Sequence, residues 1–230
     1  MKTRSPKQIL LILSILLAGC VSGGHSQIKD GYPDVWWQAV PEAELPSWEI
    51  PPQAADRSKG EVILSKRNEL GQFSNLPASE FSLDGLKYAS VEGLWQSLKY
   101  PESATDERAR KDLVWPYTRA EVRALSGFEA KKAGDLANAN MKKLGIKWVT
   151  YKGRKIEYNG RDQEVHYELI LNACRAKLRD NPELVRLLLS TGDLTFLADH
   201  RQKADSPPAY FYHEIYMRLR AELRHEGAPR

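Results

Sequence analysis

The 230-residue sequence predicts an α+β fold, a single mainly helical domain with short strands and hairpins. Three observations carry that reading. Apolar residues recur at helical spacing in "EVHYELILNACRAKLRDN". Short alternating runs flank the Asp84-Gly85 pair and, later, two further Gly-containing turns, as hairpins require. Helical and strand-like stretches follow one another in no regular βαβ order, which argues against a doubly wound sheet.

Taken in order, "MKTRSPKQILLILSILLAGC" sets Lys2, Arg4 and Lys7 before an apolar run from Ile9 to Leu17, then Ala18 and Gly19 ahead of Cys20. This is the layout of a secretory signal peptide over residues 1–19, with an apolar run too short to span a bilayer comfortably. "LAGC" resembles the bacterial lipobox, whose cysteine is acylated and becomes the first mature residue. The resemblance implies a lipid anchor on Cys20 in the bacterial cell envelope. Val21 stands where an Asp would retain such a protein in the inner membrane, which favours the outer membrane facing the periplasm. Loss of residues 1–19 removes three of the 34 Lys and Arg and none of the 30 Asp and Glu, leaving a nearly neutral chain. Generic nucleic-acid binding, which needs a concentrated basic surface, therefore has little support.

Residues 20–58 carry Pro33, Pro41, Pro46, Pro51 and Pro52 without a sustained period and read as a tether. Trp36, Trp37 and Trp48 in it either dock on the domain or lie at the membrane interface, docking being the simpler expectation. Residues 59–225 read as one domain large enough to bury its own core, with 226–230 as a tail. Within it "EVILSK" is a strand and "FSLDGLKYAS" a hairpin. Helical segments are expected around 91–99, 107–114 and 119–137, the last broken near Ser126 and Gly127. "IKWVTYKGRKIEYNGRD" reads as a hairpin, followed by a long helix. The next helix begins with Asn181 as cap and Pro182 in its first turn and stops at Gly192. "LTFLAD" is a short strand, and "AYFYHEIYMRLRAELR" the last helix.

With only Cys20 and Cys174 present, no intramolecular disulfide is available once Cys20 is acylated, and Cys174 reads as a buried structural thiol. The five histidines lack a ligand spacing, and neither a paired-Cys signature nor a Gly-rich phosphate loop occurs. No metal and no cofactor are expected.

The chemistry centres on "SVEGLWQSLKY". With Ser90 as cap, Glu92 lies in the first turn, where free N–H groups favour a carboxylate. Gln96 and Lys99 follow four and seven residues later on the same face, opposite Val91, Trp95 and Leu98. From spacing alone this is an ordinary solvated stripe on an amphipathic helix.

The wider stretch "GQFSNLPASEFSLDGLKYASVEGLWQSLKY" resembles the opening of the NADAR family. That family's members read Gly-x-Phe-Ser-Asn-Phe, an Asp-Gly hairpin, Ser-x-Glu-His and an aromatic-Gln-x-x-Lys. The likeness continues through "AKKAGDLAN", "KKLGIKW", "LILNACRAKLRDNPELVRLLLSTGDLTFLADH" and "YMRLRAEL", from about 68 to 223. It implies an N-glycosidase acting on a phosphoribosylamino or ADP-ribosyl compound, cutting a ribose C1–N bond through an oxocarbenium-like transition state. By resemblance Glu92 matches the family's acidic catalytic residue, its carboxylate stabilising the ribosyl cation and orienting or deprotonating water. Trp148 would stack on the base, and Gln96, Lys99 and Asn75 would contact ribose or phosphate. Three features depart from the family pattern. Gly93 follows Glu92 where the family has His, and residues 151–164 look inserted. In "RQKADSPPAYFYHEI" Asp205, slipped by one residue, replaces the acid of the family's Asp-x-x-Trp-Gly and is by resemblance the second catalytic residue, but no Trp follows, and Tyr210 holds the place of an Asn. A second class of function follows from these departures: an envelope lipoprotein that binds a nucleotide, an ADP-ribose-like ligand or a protein partner without catalysis.

Overall fold

The computed structural model describes residues 31–226, an α+β chain with six helices and three two-stranded sheets among those residues. The anchor sequence and Cys20 lie outside the described residues. No described helix is long and apolar enough to cross a membrane.

Strand β1 (Glu61–Ile63) pairs in parallel with β6 (Thr195–Leu197), so residues far apart in sequence meet at the base of the fold. The hairpin β2 (Phe81–Leu83) and β3 (Leu86–Tyr88) turns through Asp84 at φ 51° and Gly85 at φ 76°, the left-handed pair that Asp-Gly accommodates. A second hairpin, β4 (Val149–Tyr151) and β5 (Arg154–Ile156), turns the same way at Lys152-Gly153.

Helix α1 (Val91–Ser97) is central, packing against α2 (Arg119–Arg123), α3 (Gly127–Lys143) and α4 (Gln163–Asp180). Val91, Leu94, Trp95 and Leu98 are all buried, each contributing about 1.5–3 kcal/mol by leaving water. The break between α2 and α3 falls at 124–126, where the sequence placed it. Helix α5 (Pro182–Ser190) packs on α4 and on α6 (Tyr212–Glu226), which covers β6. Cys174 is a buried free thiol whose pKa burial pushes up to about 11, as a structural role implies.

Three local expectations are corrected. Residues 107–114 form no helix, because Arg108 is drawn wholly inside. Its guanidinium donates to the Leu98 and Lys99 carbonyls at 2.9 and 3.1 Å, to Thr150 Oγ1 at 2.5 Å and to Asp106. Helix α1 ends at Ser97, not 99, where this guanidinium takes up the Leu98 and Lys99 carbonyls. Asn181 holds the N-cap position of α5 with Pro182 next, as expected, but its side chain makes no cap bond; its amide instead donates to the Glu80 and Lys177 carbonyls at 3.0 and 2.8 Å.

Residues 31–58 lie as a strap against the domain. Trp36 is 1% exposed and donates to Glu69 Oε1 at 2.6 Å, while Trp37 donates to the Glu61 carbonyl at 2.8 Å. Farther on, Arg67 donates to both Glu49 carboxylate oxygens at 2.9 and 2.8 Å. Glu49 bridges antiparallel to His200, and the Ile50 N–H donates to the Asp199 carbonyl at 2.7 Å. The strap is thereby tied to the segment that follows β6.

Candidate active site

The site begins at the N-terminus of α1. Ser90 Oγ accepts from the Gly93 N–H at 2.8 Å and donates to the Leu125 carbonyl at 3.0 Å, capping the helix while fastening it to the α2–α3 junction. That fastening is close enough to fix residue 93. A Cβ added to Gly93 would lie 2.3 Å from Leu125 O, so the family's His has no room here. The Glu92 N–H donates to the Asn75 carbonyl at 2.8 Å, joining the catalytic candidate to the Ser74-Asn75 turn. Lys177 of α4, fully buried, holds the turn from behind by donating to the Gln72 and Ser74 carbonyls at 2.5 and 3.2 Å.

The polar row of α1 is not a solvated stripe. Gln96 and Lys99 are only 7% and 6% exposed. Gln96 Nε2 donates to Glu92 Oε1 at 2.7 Å, and its own Oε1 is buried without a partner among the described residues. Gln96 fits only because residue 134 of α3 is glycine; a Cβ there would reach within 1.7 Å of Gln96 Oε1. Burial pushes the Glu92 carboxyl above its ordinary pKa, with the Gln96 hydrogen bond and the charges of Lys99 and Lys131 opposing it. Burial brings Lys99 down to about 8, and its Nζ lies 5.6 Å from the Trp95 ring centroid.

Glu92 opens into a cavity of about 420 Å³ whose wall also contains Asn75, Asp199, Tyr210 and Tyr212. Asp199 lies just past β6, is 1% exposed, and accepts from Lys66, from Tyr212 Oη at 2.9 Å and from His200 Nδ1 at 2.7 Å. Burial raises its pKa, but the hydrogen bonds from His200, Lys66 and Tyr212 and the Lys66 charge outweigh that and hold it below the usual carboxylate range. Two carboxylates in one cavity are thus pushed in opposite directions, the pattern that separates a proton-transferring group from a permanently ionised one. Ser74 Oγ and Asn75 Oδ1, on two residues of the cavity wall, are buried without hydrogen-bond partners among the described residues. Four cations, Lys66, Lys131, Arg201 and Lys203, face the same cavity, so its balance favours an anionic ligand.

Of the residues singled out from sequence, Glu92 and Asn75 line this cavity, whereas Gln96 touches Glu92 and is not part of the wall. Lys99 stands behind Glu92 as a buried counter-charge, outside the cavity wall. Trp148 is not brought to Glu92: it lines a separate hollow with Glu102, Asp106 and Lys155. Arg108 and Lys155 lie over its ring at 4.8 and 4.3 Å from the centroid, so the buried arginine that denies 107–114 a helix also captures this tryptophan. Asp205 is exposed on the loop before α6 and absent from the cavity wall. Asp199 is the carboxylate that sequence reasoning passed over; its signal was an Asp-His pair at the carboxyl end of a strand, a position that exposes side chains to a cleft. Tyr210, at the place of the family's Asn, is in the wall and meets Trp95 edge-on with centroids 6.5 Å apart.

No family model matches the chain, and no curated protein matches it. Among solved structures, the chain is similar to the NMR structure of the Escherichia coli protein YbiA at 21% identity, with a TM-score of 0.46, over 71% of this chain and 86% of that one.

Proposed function

We propose that the protein is an N-glycosidase that hydrolyses the C1–N bond of a ribosyl, phosphoribosylamino or ADP-ribosyl compound. The observation that carries this reading is the placing of two carboxylates in one cation-rimmed cavity, Glu92 held by Gln96 and Asp199 by Lys66, His200 and Tyr212. The NADAR-like motifs around Glu92 support it from the sequence.

In the reaction the C1–N bond breaks with its electron pair leaving on nitrogen, and the ribosyl carbon develops positive charge. The ionised Asp199 and Glu92 carboxylates stabilise that charge across a cavity partly closed to water. Water adds its oxygen to C1, Glu92 takes one of its protons and returns it to the departing nitrogen, so base and hydroxylated sugar are the only products and Glu92 ends ionised as it began. Gln96 holds Glu92 in place by the 2.7 Å hydrogen bond. Tyr210 supplies the flat surface that the resemblance assigned to Trp148, and Lys66, Lys131 and Arg201 suit a phosphate on the sugar. The catalytic role of Asp205 passes to Asp199.

The chain is tested by incubating the full-length protein, purified in detergent, with aminopyrimidine ribotides, NAD and ADP-ribosylated guanosine, and measuring released base by chromatography. Glu92→Gln is expected to lower release at least about 100-fold. Binding without release by the unmodified protein would instead support the non-catalytic lipoprotein. Anchoring through acylated Cys20 at the outer membrane belongs to the same proposal: Cys20→Ala should move the protein from the membrane to the soluble fraction, and continued membrane fractionation would count against it.

A further inference from the structure

Beside the Glu92 cavity lies a second one of about 300 Å³, walled by Trp48 of the strap and Phe128 of the first turn of α3. The two cavities share Lys66, Leu76, Lys131, His200 and Arg201, so the three shared cations stand between them. Trp48 and Phe128 are 47% and 62% exposed, although most large apolar side chains of this fold are buried. Lys66 Nζ lies 5.2 Å from the Trp48 ring centroid.

Trp48 is not at this place by chance of a loose segment. Its neighbour Glu49 is clamped by Arg67 and bridged to His200, and Ile50 donates to Asp199, so the strap delivers the indole beside the cations. Flat rings flanking a cationic saddle hold a planar base by stacking and its phosphates by charge. Such a base, once bound, would bury apolar area of these exposed rings.

Resting on the N-glycosidase reading, we infer that the second cavity is a subsite for a planar ring joined through phosphate to the ribosyl group at Glu92, and that Trp48 and Phe128 set a preference for dinucleotide-like over mononucleotide-like substrates. The specificity-determining residue Trp48 then comes from the strap outside the resemblance to the catalytic family.

Calorimetric titration of the full-length protein in detergent with ADP-ribose and with ribose 5-phosphate tests this. ADP-ribose should bind at least about tenfold more tightly. Trp48→Ala and Phe128→Ala should each remove most of that preference while leaving ribose 5-phosphate affinity unchanged, and Trp48→Phe, which keeps a flat ring, should retain it. Equal affinity of the two ligands for the unmodified protein, no binding of either, or a parallel loss of both in Trp48→Ala would overturn the inference. The readout is binding alone, so a preference that persists without base release refutes the catalytic reading and not the subsite. Base release that depends on Glu92 but not on the second ring does the reverse.

Discussion

At the scale of single residues, the site is decided by close approaches. Gly93 lets α1 touch the Leu125 carbonyl, and any side chain would push the Glu92 turn away from it. Gly93→Ala should therefore destabilise the protein by about 1–3 kcal/mol in denaturant titration, and Gly93→His by more. The charge on Lys99 lowers the pKa of Glu92 against the larger effect of burial. Removing it in Lys99→Met should raise the Glu92 pKa further, moving the acid limb of a pH–rate profile to higher pH; an unmoved limb would separate Lys99 from Glu92. His166, fully buried against Trp95 with centroids 4.2 Å apart, is brought by burial and by the Lys99 charge down to about 4. Tyr158 and Tyr210 are other rings around it, and neither ring nitrogen has a hydrogen-bond partner among the described residues. Between the ordinary histidine value near 6.5 and about 4, the unfolded chain binds a proton that the folded one refuses. Its contribution to stability is thus complete above pH 6.5 and is lost as pH falls through about 4, by at most about 1.4 kcal/mol per pH unit. His166→Phe should flatten the acid side of the stability curve by that amount; an unchanged slope would mean that His166 takes its proton in the fold.

At the scale of elements, buried charges override local propensity. The helical period at 107–114 was real in the sequence but lost to Arg108, whose donors close the end of α1 and fix β4 through Thr150. Asp106 beside it is 5% exposed at its side chain; burial opposes its charge, and Arg108 nonetheless holds its pKa down to about 2. Arg108→Ala leaves that carboxylate and the carbonyls unpaired and should cost about 3–5 kcal/mol by thermal or denaturant unfolding. Elements specified by local chemistry were legible: the Asp84-Gly85 turn, the Ser90 cap, the break before Gly127 and the long period of α4. Glu92, Gln96 and Asn75 were legible as a group because one helix turn and one adjoining loop bring them together. Asp199 and Lys66 were not, since their meeting depends on the parallel pairing of β1 with β6 across some 130 residues of chain. Trp148 misled for the same reason: its motif reports neighbours in sequence, whereas its ring is held by Arg108 and Lys155.

At the scale of the whole molecule, the domain and its strap act together. Trp36 fills the core beside Tyr32 and Trp37, and Trp36→Ala should cost about 3–5 kcal/mol, so a chain cut at residue 58 should be markedly less stable. The strap also holds the Asp199 segment through Glu49 and Ile50, which couples its docking to the geometry of the cavity. The central claim is that this cavity cleaves a ribose C1–N bond with two carboxylates of opposite tuning. Base release by the full-length protein, compared with Glu92→Gln and Asp199→Asn variants shown to be folded, tests it most directly. Multiple turnovers by the unmodified protein, with a loss of at least about 100-fold in each variant, are the result predicted. Turnover that survives in folded Glu92→Gln, or no base released from any ribosyl or ADP-ribosyl compound, would contradict it.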